Sequence, residues 1–418
     1  MNFLRSLLFC VLCPIITLSQ NISITGKVLR VNDKSPLRAS VFLNNSSFGT
    51  ATADDGTFTL NGLKPGQYTL VVTAMGYENY TQTLLVNSAQ VTLNIELSPK
   101  TFRLKEVEIT SVSKTAWKLY YERFKKEFIG TDDNANNCTV INPDVLNFHY
   151  NKEQNELDAW SDDFLIIENR ALGYRIKYLV SDFKSDGMEN TTFYSGKRFF
   201  EELPGSKSQE KKWVKKRNEA YYGSAMHFYR SLYKDSVAAE GFEMYRLTRE
   251  LNTQRPKEGI IQQKLEKFQG FSRINRDNPL MRNMTLQNIS ELRIDSLRHW
   301  MDLYKLPLYI NQSLNEKQLP TSDVLKTTSA QGIIAIEFAD CLYVVYTKKQ
   351  ESTYFKDLYH RVNKPNYETS VVTFTNKNHV ALFDRNGTIL GESPLNEGTW
   401  AKAALSETLP VDYVPQVK

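Results

Sequence analysis

Between Ile22 and Leu97 the chain alternates apolar and polar positions in short runs, each closed by turn residues. The runs are Ile22, Ile24 and Val28, then Val41 to Leu43, Phe58 to Leu60, Tyr68 to Thr73 and Val91 to Leu97. A period of two sends successive side chains to opposite faces of a sheet. Asp54-Asp55-Gly56 and Lys64-Pro65-Gly66 have the composition of tight turns, where glycine supplies positive φ and proline presets its own. Short strands with turns at about 8–12 residue spacing predict a β-sandwich over residues 22–98.

Beyond a linker at 99–113 the periodicity changes. Trp117, Tyr121, Phe124 and Phe128 recur at helical spacing and predict an amphipathic helix over 114–129, stopped by Gly130. From Cys138 to Gly196 the period returns to two. Residues 145–150, 164–167, 174–180 and 191–194 read there as strands of an antiparallel meander. Residues 208–234 read as helix, with Val214, Tyr221, Ala225, Phe228 and Leu232 on one face and Gly223 placed to divide it. The region 251–330 is less periodic, and its one clear helix spans about 290–305, limited by Pro307. Strands resume at 332–346 and 371–375. Asn386-Gly387 between two apolar runs signals a hairpin, and residues 400–405 a short closing helix. The fold class is therefore multi-domain. An N-terminal all-β sandwich precedes a mixed α+β region with antiparallel sheet at 114–418, divisible near residue 250 into two subdomains.

Residues 1–19 have the layout of a secretory signal peptide. Arg5 is the basic start, Leu7 to Ile16 form an apolar core too short to span a bilayer, and cleavage is expected after Ser19 or Gln20. Removing that segment leaves no stretch apolar enough for a transmembrane helix, so the expectation is an exported protein of the periplasm or outer-membrane surface. The formal charge of +5 over 418 residues is no nucleic-acid signature. Cys138 and Cys341 remain after cleavage. A disulfide between them and two separately buried thiols are both compatible with the sequence.

The runs ITGKV, SPLRASVFL, GTATADDGTFTL, LKPGQYTLVVTAMGYE and LNIEL, in this order, resemble the carboxypeptidase-regulatory-like domain, a transthyretin-like seven-stranded sandwich. In metallocarboxypeptidases that domain is an accessory to the zinc-bearing one, so the resemblance implies a binding or spacer module. Phe102 to Thr110 is similar to the run that follows this sandwich in TonB-dependent transporters. Only about 300 residues follow here, the chain closes on Gln416-Val417-Lys418 rather than an aromatic residue, and the repeated ten-residue alternation of a barrel is missing. The remainder, through RFKKEFIGTDDNANNCTVINPDVLNFHY, LIIENRALGYRIKYLVSDF, FFEELPGSK, NEAYYGSAMHFYRSLY, ALFDRNGTIL and GTWAKAALSETLPVDY, resembles Bacteroidota envelope proteins known as carboxypeptidase-like regulatory domain-containing proteins.

Catalytic patterns are sparse. The histidines, His149, His227, His299, His360 and His379, form neither HExxH nor a His-x-x-Glu pair. No G-x-S-x-G elbow or phosphate-binding glycine loop occurs. The acidic pairs Asp54-Asp55, Asp132-Asp133, Asp162-Asp163 and Glu201-Glu202 fall in or near expected turns. The most polarised stretch runs from Lys207 to Arg217, with six bases against Glu210. Lys211, Lys212, Lys215, Lys216 and Arg217 are candidate contacts for an acidic partner, or else the solvated side of a helix. Tyr77 and Tyr80 are candidate stacking surfaces for sugar rings, or else rim packing of the sandwich. The expectation is a non-enzymatic envelope protein that binds protein or glycan, without cofactor or metal and without nucleic acid. A hydrolase of peptide or glycan with a dispersed site, and a structural adaptor of an outer-membrane transport assembly, are the competing expectations.

Overall fold

The computed structural model describes residues 22–86, 90–100, 113–265, 286–351, 365–376 and 378–416. The leader at 1–19, the run Phe102 to Thr110 and His360 lie outside them. By internal contacts the chain divides into two units, residues 1–42 with 48–100 and residues 43–47 with 101–418.

The first unit carries β1 (Ile22–Arg30), β2 (Ser40–Leu43), β3 (Gly49–Ala51), β4 (Thr57–Leu63), β5 (Gly66–Thr73), β6 (Tyr80–Val86) and β7 (Val91–Leu97). One sheet is ordered β4-β1-β7 and the other β3-β2-β5-β6. Alternate residues Ile24 and Val28 from one sheet and Val41, Leu70 and Val72 from the other are wholly buried. The period of two read from the sequence is thus the inner face of an all-β sandwich. Asp55 makes the predicted turn by accepting the Thr57 N–H at 3.0 Å, next to Gly56 at φ 82°. Two strands carry no readable pattern. β3 has only three residues, and β6 buries only Leu84 and Val86.

The second unit opens with α1 (Lys114–Ile129), capped by the Ser113 hydroxyl and ended at Gly130 with φ 106°. β8 (Cys138–Val140), β9 (Leu146–Asn151), β10 (Glu156–Ser161), β11 (Leu165–Asn169), β12 (Tyr174–Asp186) and β13 (Thr191–Glu202) form a six-stranded sheet. Its order is β8-β11-β12-β10-β9, with β13 on β12 and every pairing antiparallel. The helical spacing of α1 buries Phe124 and Phe128 against this sheet. Phe124 meets Phe148 and Phe183 at ring separations of 5.9 and 4.8 Å, and Phe128 meets Tyr178 at 5.0 Å.

The long helix divides at Gly223 into α2 (Lys207–Tyr221) and α3 (Ala225–Tyr233). Gly223 stands at φ 89°, a conformation that favours glycine. Its N–H donates to His227 Nδ1 and its carbonyl accepts the Trp400 indole N–H at 2.8 Å, so the break is fixed from both sides.

Two further antiparallel sheets follow. The five-stranded one is built from β14 (Phe242–Leu251), β15 (Tyr309–Gln318), β18 (Cys341–Gln350), β19 (Tyr367–Thr373) and β22 (Leu395–Gly398) in the order β15-β14-β18-β19-β22. The four-stranded one is ordered β16 (Leu325–Thr327), β17 (Ile333–Glu337), β20 (Val380–Asp384), β21 (Ile389–Leu390). The last pair is the hairpin signalled by Asn386-Gly387, with Leu382 opposite Leu390. α4 (Leu286–Lys305) extends one turn before the expected helix, and α5 (Thr399–Lys402) is the short closing helix. Phe228, Leu232, Phe242, Phe383 and Trp400 share one core, whereas Leu405, Leu409 and Tyr413 enter the core of the first sheet. Cys138 and Cys341 are buried free thiols in separate clusters.

Candidate functional site

Helix α2 begins with a reciprocal cap. The Ser206 hydroxyl accepts from the Gln209 backbone N–H, and the Gln209 side chain accepts from the Ser206 backbone N–H. The helical period then puts Gln209, Lys212, Trp213 and Lys216 on one face. That face borders a groove of about 610 Å³, closed by Arg170 and Arg175 from β11, β12 and their connection, by Asp133, Asn134 and Asn137, and by Leu203 and Pro204.

Each wall is fixed locally. The Trp213 indole N–H donates to the Arg170 carbonyl at 2.9 Å, and the ring lies against Gly173 and Gly205. The turn between β11 and β12 is held by the Asn169 side chain, whose oxygen accepts the Ala171 and Leu172 N–H groups while its amide donates to the Ser406 carbonyl at 2.8 Å. Glu168 and Arg175 face each other across the strands and pair at 2.8 Å, and Arg170 reaches the same carboxylate at 3.5 Å. The hydrogen bond from Arg175 holds the Glu168 carboxyl below the ordinary glutamate value. Asp132 accepts the Asn134 and Ala135 N–H groups with one oxygen and the Ser406 hydroxyl with the other. Four bases therefore face two acids around the groove, Asp133 and Glu168.

Of the sequence candidates, Lys212 and Lys216 line this groove. Lys211 and Lys215 occupy the adjoining exposed face, where Lys215 sits 3.8 Å from Glu219, and Lys216 is 3.1 Å from the same carboxylate. Arg217 points inward. Its guanidinium donates to the Leu172 and Gly173 carbonyls at 2.7 and 3.2 Å, pairs with Glu202 at 2.7 Å and covers the Tyr174 ring at 3.8 Å. That engagement gives it a packing role. Tyr77 and Tyr80 belong to the first unit and are half-buried. Tyr80 donates to the Gln82 side chain at 2.6 Å, and Tyr77 bridges to Pro99.

Among the described residues the histidines join no metal-binding cluster. His149 is exposed, 3.3 Å from Asp158. His227 is buried among Tyr221, Tyr222, Phe242 and Tyr346, with Nε2 3.2 Å from Glu240. Among the described residues no group of three or more His, Cys, Asp or Glu side chains is gathered for a metal ion. Glu201 and Glu202 are the last residues of β13, next to the loop at 203–206, and pair with Lys177 and Arg217. Sequence reading missed Arg170, Arg175, Glu168 and Asn137. The available signal was the charge cluster flanking the expected β11–β12 turn, but nothing in it specified proximity to α2.

Residues 24–109 match the CarboxypepD_reg-like domain. No curated protein matches the chain. Among solved structures the chain is similar to the group B streptococcus pilus 2b backbone protein, at 20% identity over 19% of this chain and 42% of that one, with a TM-score of 0.17. It is also similar to a DUF3823 family protein from Bacteroides ovatus ATCC 8483, at 14% identity over 44% of this chain and 82% of that one, with a TM-score of 0.16. A third likeness is to 3-chlorocatechol 1,2-dioxygenase from Rhodococcus opacus 1CP, at 10% identity over 19% and 60%, with a TM-score of 0.15. The chain thus spans less than two thirds of the pilus protein and of the dioxygenase, and overall similarities of this size carry no function across.

Proposed function

We propose that this chain is an exported, non-catalytic binding protein of a Bacteroidota cell envelope, holding a protein or glycan ligand in the groove beside α2. The observation that carries this reading is the meeting of Lys212, Lys216, Arg170 and Arg175 with the immobilised Trp213 in one concave site. Ligand pockets combine a shaped wall with a few placed polar groups, and this groove has both. Glu168 supports a role in binding, because a carboxylate committed to two guanidinium groups is ill placed to donate or accept a proton. The leader pattern at 1–19 and the resemblance of the remaining sequence to envelope proteins support export. The sandwich at 22–98 serves as an accessory module.

The test is thermal unfolding of the purified full chain against acidic and neutral glycans, peptidoglycan fragments, peptides and divalent metals. A ligand at 100 times its Kd stabilises the native state by about 2.7 kcal/mol. The expected result is an upshift with a glycan or peptide class that is lost in Lys212→Ala/Lys216→Ala. A flat response to every glycan and peptide, or turnover of one of them, would overturn the reading.

A further inference from the structure

Resting on the reading of the groove as a ligand site, we infer that its ligand is an acidic saccharide, a sugar chain bearing carboxylate or phosphate, held by the cations of Lys212, Lys216, Arg170 and Arg175 with a ring against Trp213. The charge balance points this way first. Glu168 engages Arg175 at 2.8 Å and Arg170 at 3.5 Å, so it is one carboxylate shared by two guanidinium groups. Lys216 has the exposed Glu219 at 3.1 Å, and Lys212 makes no ion pair among the described residues. With Asp133 as the second acid of the lining, four bases against Glu168, Asp133 and Glu219 still leave the groove positive. Arginine side chains add planar forks that match carboxylate and phosphate oxygens.

The second pointer is the indole. Its N–H is already bonded to the Arg170 carbonyl, and a Cβ at Gly173 or Gly205 would stand 2.2 or 2.4 Å from ring carbons. The ring is held before any ligand arrives, which removes the ordering cost of binding. An aromatic body with a satisfied polar tip offers carbon surface to the C–H face of a sugar.

The third pointer is size and lining. A volume of about 610 Å³ exceeds what one inorganic ion fills and lies in the range of small-molecule sites. The lining also holds Asn134, Asn137 and Asp133, whose side-chain oxygens are acceptors for hydroxyls, while the Asn134 and Asn137 amides donate to Glu407 and to the Asp133 carbonyl. Aliphatic lining is limited to Ala171, Leu203 and Pro204, little for the side chains of a peptide.

The experiment is calorimetric titration of the full chain, with tryptophan fluorescence in parallel. The probes are trigalacturonic acid, mannose 6-phosphate, maltotriose and a hexa-aspartate peptide. The acidic sugars are expected to bind and to perturb the fluorescence, with maltotriose about tenfold weaker or worse. Preference for trigalacturonic acid identifies a carboxylate-bearing glycan, and preference for mannose 6-phosphate a phosphorylated one. Lys212→Gln/Lys216→Gln should weaken binding by about tenfold or more, while Lys211→Gln/Lys215→Gln, on the adjoining face, leaves it unchanged. Equal binding of maltotriose overturns the inference, as does equal weakening by both double variants. Binding of hexa-aspartate alone, lost in Lys212→Gln/Lys216→Gln, overturns the saccharide class while leaving the groove as a binding site. Silence from all four probes overturns the inference. The wider panel of glycans and peptides then decides the groove reading separately.

Discussion

The Trp213 ring lies so close to Gly173 that the first carbon of any side chain at 173 would stand 2.2 Å from it. Gly173 is also at φ 72°, where an L-residue is strained by roughly 1–2 kcal/mol. Gly332, at φ 78° with nothing within 4 Å, has the strain without the contact. Gly173→Ala should therefore lower the melting temperature clearly more than Gly332→Ala, and should red-shift the tryptophan emission. Equal effects in the two variants would mean that the ring is not seated on Gly173.

Arg217 and its lysine neighbours should separate cleanly by stability. Arg217→Met takes the guanidinium from the Leu172 carbonyl, from the Gly173 carbonyl, which keeps the Leu203 N–H at 3.0 Å, and from Glu202, and hydrogen bonds to charged groups are worth about 1.5–3 kcal/mol. A loss of roughly 2–4 kcal/mol in denaturant unfolding follows from the same scale. Lys211→Ala/Lys215→Ala should stay within about 0.5 kcal/mol of wild type, as exposed substitutions do. Arg217→Lys should recover only part of the loss, because a compact ammonium lacks the planar fork that serves Leu172, Gly173 and Glu202 together.

Burial lowers the pKa of His227 below the ordinary histidine value, although its hydrogen bond to Glu240 opposes that shift. Above about pH 6.5 the imidazole is neutral whether the chain is folded or not, and it costs nothing. As pH falls below that value the unfolded chain takes up a proton that the folded one refuses. Stability then declines, by up to about 1.4 kcal/mol per pH unit, until the folded pKa is reached. Glu368, Asp384 and Glu407 act in the opposite sense. Burial raises their pKa values, so their penalty eases as pH falls. Comparing wild type with His227→Gln at each pH cancels those three. The difference in unfolding free energy between them should shrink from pH 7 toward pH 5, and a constant difference would remove His227 as the source.

Both described thiols should resist modification. Burial pushes Cys138 up to about 12, and burial also raises Cys341, so little thiolate is present at pH 8. Peptides containing either residue should carry an alkylating label only after denaturation. Labelling of Cys138 in the native protein would contradict its place in the core of the first sheet.

The sandwich and α1 were legible because their period reports burial directly. Ile24, Val28, Val41, Phe124 and Phe128 are apolar at the intervals that the element imposes, and all are buried. The strand β15, YINQSLNEKQ, was not legible. It is almost wholly exposed and is placed by its ladder to β14, a partner about 60 residues away, so no local alternation marks it. The groove was half legible for the same reason. Lys212 and Lys216 stood out within a basic run, yet the difference between them and Lys211 and Lys215 depends on which face of α2 meets the turn after β11. Arg170 comes from that turn and Arg175 from the start of β12, and only tertiary packing brings them beside Trp213.

Leu405, Leu409 and Tyr413 complete a core begun by Phe124, nearly the whole length of the second unit earlier. The first sheet therefore cannot finish folding as its strands are synthesised. It must wait, with apolar surface uncovered, until the residues beyond 405 have also arrived. Contacts so distant in sequence make for slow folding and a long window for aggregation. A fragment cut near residue 250 would lack these three side chains and leave that core open.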